Sequence, residues 1–93
     1  MGCRKGNEMY REGQVWTEKH IRYQCTNEGT TKVLGCIDES GLFVDIGRDI
    51  LMQGIIHRCY KLNNTTIYHR FQCEPGMSLP ECISKANIPK HRA

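Results

Sequence analysis

Six cysteines, four histidines and three serines are the side chains of this 93-residue sequence best suited to covalent or metal chemistry. Ser40, Ser78 and Ser84 lie outside any G-x-S-x-G elbow, the sharp turn that presents a serine nucleophile to its base. His20, His57, His69 and His91 share no spacing, and none falls in an H-E-x-x-H zinc motif. His57 and His69 could face each other across one hairpin as a metal clip, but two ordinary strand histidines are the plainer reading. The carboxylates are scattered, and no glycine-rich phosphate loop occurs. Structural zinc sites bring thiolates together in pairs such as C-x2-C. The closest cysteines here, Cys73 and Cys82, have eight residues between them. Cys3, Cys25, Cys36, Cys59, Cys73 and Cys82 therefore read as a disulfide framework, which leaves no thiolate nucleophile. The pattern predicts no catalytic residue, no metal and no cofactor, and so a binding protein rather than an enzyme.

A framework of bridges also suits the composition. Apolar residues make up 39% of the chain, too few for a small domain to hold itself by burial alone. Oxidised cysteines imply a secreted, extracellular chain, and Asn63-Asn64-Thr65-Thr66 carries two overlapping N-x-T sequons that only a secreted chain could use. No signal peptide or membrane span is visible, and the polar start Met1–Gly6 implies a leader already removed. The net charge of +3 is mild. It permits weak attraction to acidic glycans but points to neither nucleic acid nor membrane insertion. Lys85, Lys90, His91 and Arg92 could meet a sulfated glycan, although a solvated tail is the simpler account.

These residues must be positioned by strands. Gln14–Thr17, Ile21–Cys25 and Thr30–Leu34 alternate with period two or are β-branched, and Asn27-Glu28-Gly29 is a turn signal. The grammar returns in Leu42–Ile46, Asp49–Leu51, Ile55–Cys59 and Thr66–Phe71, with Asn63-Asn64 as a turn. Gly13 and Gly47 each stand twelve residues before a cysteine, Cys25 and Cys59. Trp16 and Ile50 each stand three residues after those glycines, and Tyr10 and Val44 three before. The expected fold is an all-β, disulfide-rich module over 3–73, built of two tandem antiparallel units, 3–35 and 36–72, with little or no helix. Residues 74–93 are expected to form a disulfide-closed loop and a flexible basic tail.

Cys3, Tyr10, Gly13 and Trp16 fit the opening C-x6-Y-x2-G-x2-W. In this the chain resembles the fibronectin type I module, and more particularly the nematode domain described as abnormal cell migration protein 18-like fibronectin type I. The resemblance covers about residues 3–73. It implies association with the extracellular matrix or a cell surface. This chain has Tyr23-Gln24-Cys25 where the ordinary module carries C-x-C, so one of the usual bridges is missing or rerouted. With the strand-linking bridge lost, the resemblance implies Cys3–Cys25, the repeat then adds Cys36–Cys59, and Cys73–Cys82 remain. A second arrangement joins Cys25–Cys36, Cys59–Cys73 and Cys3–Cys82, and six cysteines allow fifteen in all.

The expected partner is an extracellular protein, bound by strand addition to a sheet edge. The edge chosen is Thr30–Val33, with Thr31 and Val33 as contact residues, because it is free of sequons. The same edge could pair with a second copy in a homodimer. Trp16 and Tyr23, with Tyr10, are either a small core covering a bridge or an exposed aromatic hot spot. Two other functions fit a rigid secreted scaffold. One is a protease inhibitor, using the loop Glu74–Glu81 closed by Cys73 and Cys82. The other is a signalling or immunomodulatory ligand of a parasitic nematode.

Overall fold

Short alternating runs broken by glycine and asparagine fold into antiparallel ribbons. The computed structural model describes residues 1–86. The strands are β1 (Cys3–Lys5), β2 (Glu8–Tyr10), β3 (Val15–Glu18), β4 (Ile21–Cys25), β5 (Thr31–Ile37), β6 (Phe43–Val44), β7 (Arg48–Met52), β8 (Ile55–Leu62) and β9 (Thr65–Gln72). One helix, α1 (Leu79–Ala86), follows. The strands form a β1-β2 ribbon, a β3-β4-β5-β6 sheet and a β7-β8-β9 sheet. The fold is all-β with a short helix and three disulfides.

The two glycine–cysteine offsets correspond bond for bond. Gly13 N–H donates to the Cys25 carbonyl at 2.8 Å, and Gly47 N–H donates to the Cys59 carbonyl at 2.7 Å. Both glycines take left-handed backbone, φ 84° and 86°, inside a tight turn. Trp16 pairs with Tyr23 across β3-β4, and Ile50 pairs with His57 across β7-β8. Cys3 faces Tyr10, and Cys36 faces Val44. Strand β5 serves both halves: it pairs with β4 from Thr31 to Cys36, and β6 joins its other side at Cys36 and Ile37. The close approach of β6 requires Gly35. A Cβ there would lie 2.7 Å from the Val44 carbonyl oxygen and 2.6 Å from the Phe43 ring.

Each of three small cores encloses one disulfide. Cys3–Cys25 lies with Trp16, flanked by Tyr10 and Tyr23. Cys36–Cys59 lies with Ile21 and Val44 at the centre of the molecule. Cys73–Cys82 lies with Ile56 between β8 and α1, where Leu51, Phe71, Met77, Leu79 and Ile83 close over it. Among the described residues no cysteine is free.

Two expectations need correction. The segment after Cys73 is not simply a loop and tail, because α1 occupies Leu79–Ala86. Its start is a capping box: Ser78 Oγ lies 2.7 Å from Glu81 Oε1, and the two backbone N–H groups lean on the opposite side chains. Lys85 sits in the last helical turn and pairs with Glu74 at 3.2 Å. The basic residues Lys90, His91 and Arg92 lie outside the described residues. Second, β5 is not an edge along its whole length: β6 joins it at Cys36 and Ile37, while the chosen stretch, Thr31–Val33, has a registered strand partner on its β4 side only.

Candidate functional site

Two-residue turns position the most promising surface. Lys19 and His20 join β3 to β4 with φ 46° and 70°, Gln53 and Gly54 join β7 to β8 with 52° and 77°, and Asn63 and Asn64 join β8 to β9 with 52° and 67°. Left-handed backbone at both central positions is the turn that matches strand twist. Glycine and asparagine suit it best, histidine takes it less often, and lysine rarely does. His20 is held there by two bonds to one residue. Its carbonyl accepts from Ile37 N–H at 2.8 Å, and its Nδ1–H donates to the Ile37 carbonyl at 2.9 Å. Its ring then rests 4.8 Å from that of Tyr68 on β9.

Tyr68 is the joint between the halves. Its hydroxyl lies 2.7 Å from Nδ1 of buried His57. Burial pushes the phenol above its usual range, Asp38 and Glu39 add to this, and Arg70 opposes it. Arg70 lies over the Tyr68 ring and makes two contacts with Glu39, at 2.6 and 2.7 Å. Beside this joint runs a groove of about 430 Å³, open to solvent. Lys5, Lys19, His20 and Tyr23 form one wall, and Thr66, Ile67 and Tyr68 of β9 form the other. Lys5 stands over the Tyr23 ring at 4.8 Å.

The β9 wall offers backbone as well as side chains. Leu62 and Thr65 flank a two-residue turn, and Cys73 N–H donates to the Gly54 carbonyl at 2.7 Å. Hydrogen-bonded pairs therefore fall on Thr65, Ile67, His69 and Phe71. The intervening Thr66, Tyr68, Arg70 and Gln72 turn their N–H and C=O groups away from β8. No strand pairs with that side of β9 among the described residues.

Of the residues singled out for binding, Tyr23 alone reaches this groove. Trp16 is only 9% exposed and stacks on Tyr10 at 3.6 Å and beside Tyr23 at 5.6 Å. It is core over the Cys3–Cys25 bridge, not an exposed hot spot, and its buried Nε1 has no partner. Burial, then the charges of Glu18 and Glu8, raise the Tyr10 hydroxyl. Val33 is half-buried against the central core, and Thr31 is exposed opposite Cys25. Asn63 and Asn64 are exposed at the tip of the β8-β9 hairpin. His57 and His69 do not face each other: His57 is registered with Arg70 and His69 with Arg58, which sends the two imidazoles to opposite faces. Among the described residues no group of three or more His, Cys, Asp or Glu could hold a metal ion. The residues that sequence reasoning missed are Lys5, Lys19, His20 and Tyr68. One signal was available for His20, which occupies the turn position that Gly54 holds in the second half.

Tandem glycine-anchored hairpins, disulfide-centred cores and an open strand edge define a small extracellular-type binding module. Residues 1–67 match the fibronectin type I domain, and the chain belongs to that family. Neither a curated protein nor a solved structure gives a match. Modules of this family are non-catalytic and generally mediate extracellular protein interactions. No helix among the described residues is long and apolar enough to cross a membrane.

Proposed function

We propose that the chain is a secreted matrix- or cell-surface-associated module that holds an extended segment of another extracellular protein as an added strand on β9. The observation that carries this reading is the outward-turned backbone of Thr66, Tyr68, Arg70 and Gln72 on an edge strand whose first part, Thr66–Tyr68, lines a groove. Unpaired N–H and C=O groups on an edge strand are a template for another strand, and pockets beside it confer specificity. The same reading divides the chain into units 3–35 and 36–72, places it with the nematode migration-protein group, and puts a glycan on Asn63 or Asn64. The contact edge preferred is β9 rather than Thr31 and Val33, because β9 borders the groove and those two residues do not line it. The protease-inhibitor reading loses its loop: Met77 N–H closes a turn on the Glu74 carbonyl at 3.2 Å, and helix begins at Leu79. Little extended backbone remains there for a protease cleft.

Proline at position 70 would remove one outward N–H without touching a β8 partner. Arg70→Ala keeps that N–H and loses the same side chain. Immobilised parent, Arg70→Ala and Arg70→Pro chains are exposed to solubilised extracellular matrix, and the affinity of the protein retained by the parent is then measured against all three. Arg70→Pro should bind at least tenfold more weakly than Arg70→Ala. Equal affinity for all three would show that the partner does not use this edge. Light scattering on the parent reads the homodimer alternative.

A further inference from the structure

The three bridges are not equally sheltered. Cys73 and Cys82 both form part of the wall of a half-open cavity of about 290 Å³, beside Phe71 and Met77. Cys73 is 7% exposed, whereas the four cysteines of the other two bridges are at 1% or 0%. Aromatic rings close over Cys3–Cys25, and Cys36–Cys59 lies in the core that both units share. Cys73 and Cys82 also lie beyond residues 1–67, the stretch that matches the family. Among the described residues, little besides this bridge holds α1. The helix has 8 residues, too few to persist without packing. Leu79 and Ile83 rest on Leu51, Ile56 and Phe71, which register side by side across β7, β8 and β9. The Lys85–Glu74 pair is exposed and adds little.

We propose that Cys73–Cys82 is a reducible latch: a dithiol reductant opens it while the other two bridges stay closed, and the released α1 uncovers the apolar row Leu51, Ile56 and Phe71. Exchange requires a thiolate to reach a bridge sulfur, so access decides which bridge reacts. The reductant's thiolate enters the cavity and attacks Sγ of Cys73, the more exposed of the two residues. The bond between the two sulfurs breaks, and Cys82 leaves as a thiolate that takes up a proton. The reductant's second thiol loses its proton and attacks its own sulfur in the mixed disulfide, and Cys73 leaves as a thiolate that is protonated in turn. Two electrons and two protons pass to the bridge, and the reductant ends as a disulfide. The latch does not depend on strand addition at β9.

The oxidised protein is titrated with dithiothreitol and quenched with iodoacetamide, and the labelled cysteines are located by peptide mass spectrometry. Cys73 and Cys82 should be labelled at about tenfold lower reductant than the other four cysteines. At that concentration amide exchange should show α1 losing its protection while Ile21–Cys25 keep theirs. An anilinonaphthalene sulfonate dye should bind, and the near-ultraviolet circular dichroism of Trp16 should stay that of the oxidised chain. The Cys73→Ser/Cys82→Ser variant should bind the dye with no reductant present. If another bridge opens first, or all six cysteines are labelled together, the selectivity is wrong. If this bridge opens first but α1 keeps its protection and no dye binds, the bridge is reducible but latches nothing. The titration of the parent decides both outcomes without the variant.

Discussion

The first unit covers its own disulfide, and the second is covered by its neighbour. Counting 34 residues on, Tyr10, Trp16 and Tyr23 become Val44, Ile50 and His57. The backbone geometry is kept while the aromatic cover is replaced by smaller or more polar groups. In the first unit three stacked rings close over Cys3–Cys25. In the second, Ile21 and Tyr23 from the first unit pack onto Cys36–Cys59, together with Val44 and Tyr68. A cross-strand pair shows a similar exchange. Val15 faces Gln24 in the first unit, and the matched Asp49 faces Arg58, joined by a 2.7 Å ion pair. The smaller side chains of the second copy leave room for the first to dock, so the central core belongs to both units.

That comparison predicts unequal disulfides. Cys3–Cys25 and Cys36–Cys59 close loops of nearly equal sequence separation, 22 and 23. Loop-closure entropy alone gives each about 3 kcal/mol, and the 9-residue separation of Cys73–Cys82 somewhat less. All four cysteines of these two bridges are fully buried, so either replacement opens a cavity; the one at Cys36 and Cys59 lies in the core that both units share and also loosens their docking, worth roughly another 1–2 kcal/mol. Urea unfolding of the three double-alanine variants should rank the losses Cys36/Cys59, then Cys3/Cys25, then Cys73/Cys82. A larger loss at Cys3/Cys25 would mean that the first unit carries the fold and the central core does not.

What was legible in the residues was local. Gly13 and Gly47 stand at fixed distances from Cys25 and Cys59 because each glycine's N–H bonds to that cysteine's carbonyl. Such an offset lies within one hairpin and is written in the chain. The strands followed from alternation for the same reason. The groove was not legible, because it joins Lys5, residues 18–23 and residues 66–68, and no spacing ties β9 to the β3-β4 turn. The second neighbour of β5 was not legible, because β6 is two residues long and joins only at Cys36 and Ile37. The short helix was not placed, although Ser78 and Glu81 carry the capping-box spacing. Asn63 and Asn64 are explained by their turn alone, since asparagine tolerates left-handed backbone, so the sequons there need no glycan to account for them.

The matched turns give a sharper and smaller test. Gly54 is left-handed, and a Cβ there would meet nothing within 4 Å. Gly54→His should therefore lose about 1–2 kcal/mol, the usual strain of a side chain in this conformation. His20→Gly relieves the same strain but loses the Nδ1–H bond to Ile37, worth about 1 kcal/mol, and the Tyr68 contact. The net change in thermal unfolding should be near zero or slightly destabilising. NMR relaxation should meanwhile show new motion between β9 and the β3-β4 turn. A clear gain in stability from His20→Gly would mean that the ring contributes nothing to the joint, and the two turns would then be equivalent.

The smallest expected effect lies in the connection between the units, at Asp38. Its Oδ1 accepts from the Ser40 hydroxyl at 2.8 Å and from the Ser40 and Leu42 N–H groups at 2.9 and 2.8 Å. The Ser40 hydroxyl bond is the largest influence holding this carboxyl below its ordinary value; the two backbone bonds and His57 act the same way, and desolvation opposes them. These bonds favour the ionised form in the folded chain only. The unfolded chain therefore binds the proton more readily, and stability rises with pH through the interval between the two pKa values. The contribution is complete above the unfolded aspartate value of about 4 and is lost as pH falls through the lower folded value. Glu39 behaves alike, because its bond to Arg70 lowers it. Both groups face solvent, so the effect should be small and reduced by salt. Asp38→Asn should flatten the stability profile on the acid side of the ordinary aspartate value of about 4, measured by urea midpoints at fixed ionic strength. The change should be smaller than that of Gly54→His. An unaltered acid slope would show that the Asp38 turn forms equally well with the carboxyl protonated, and the link between the units would then owe nothing to its charge.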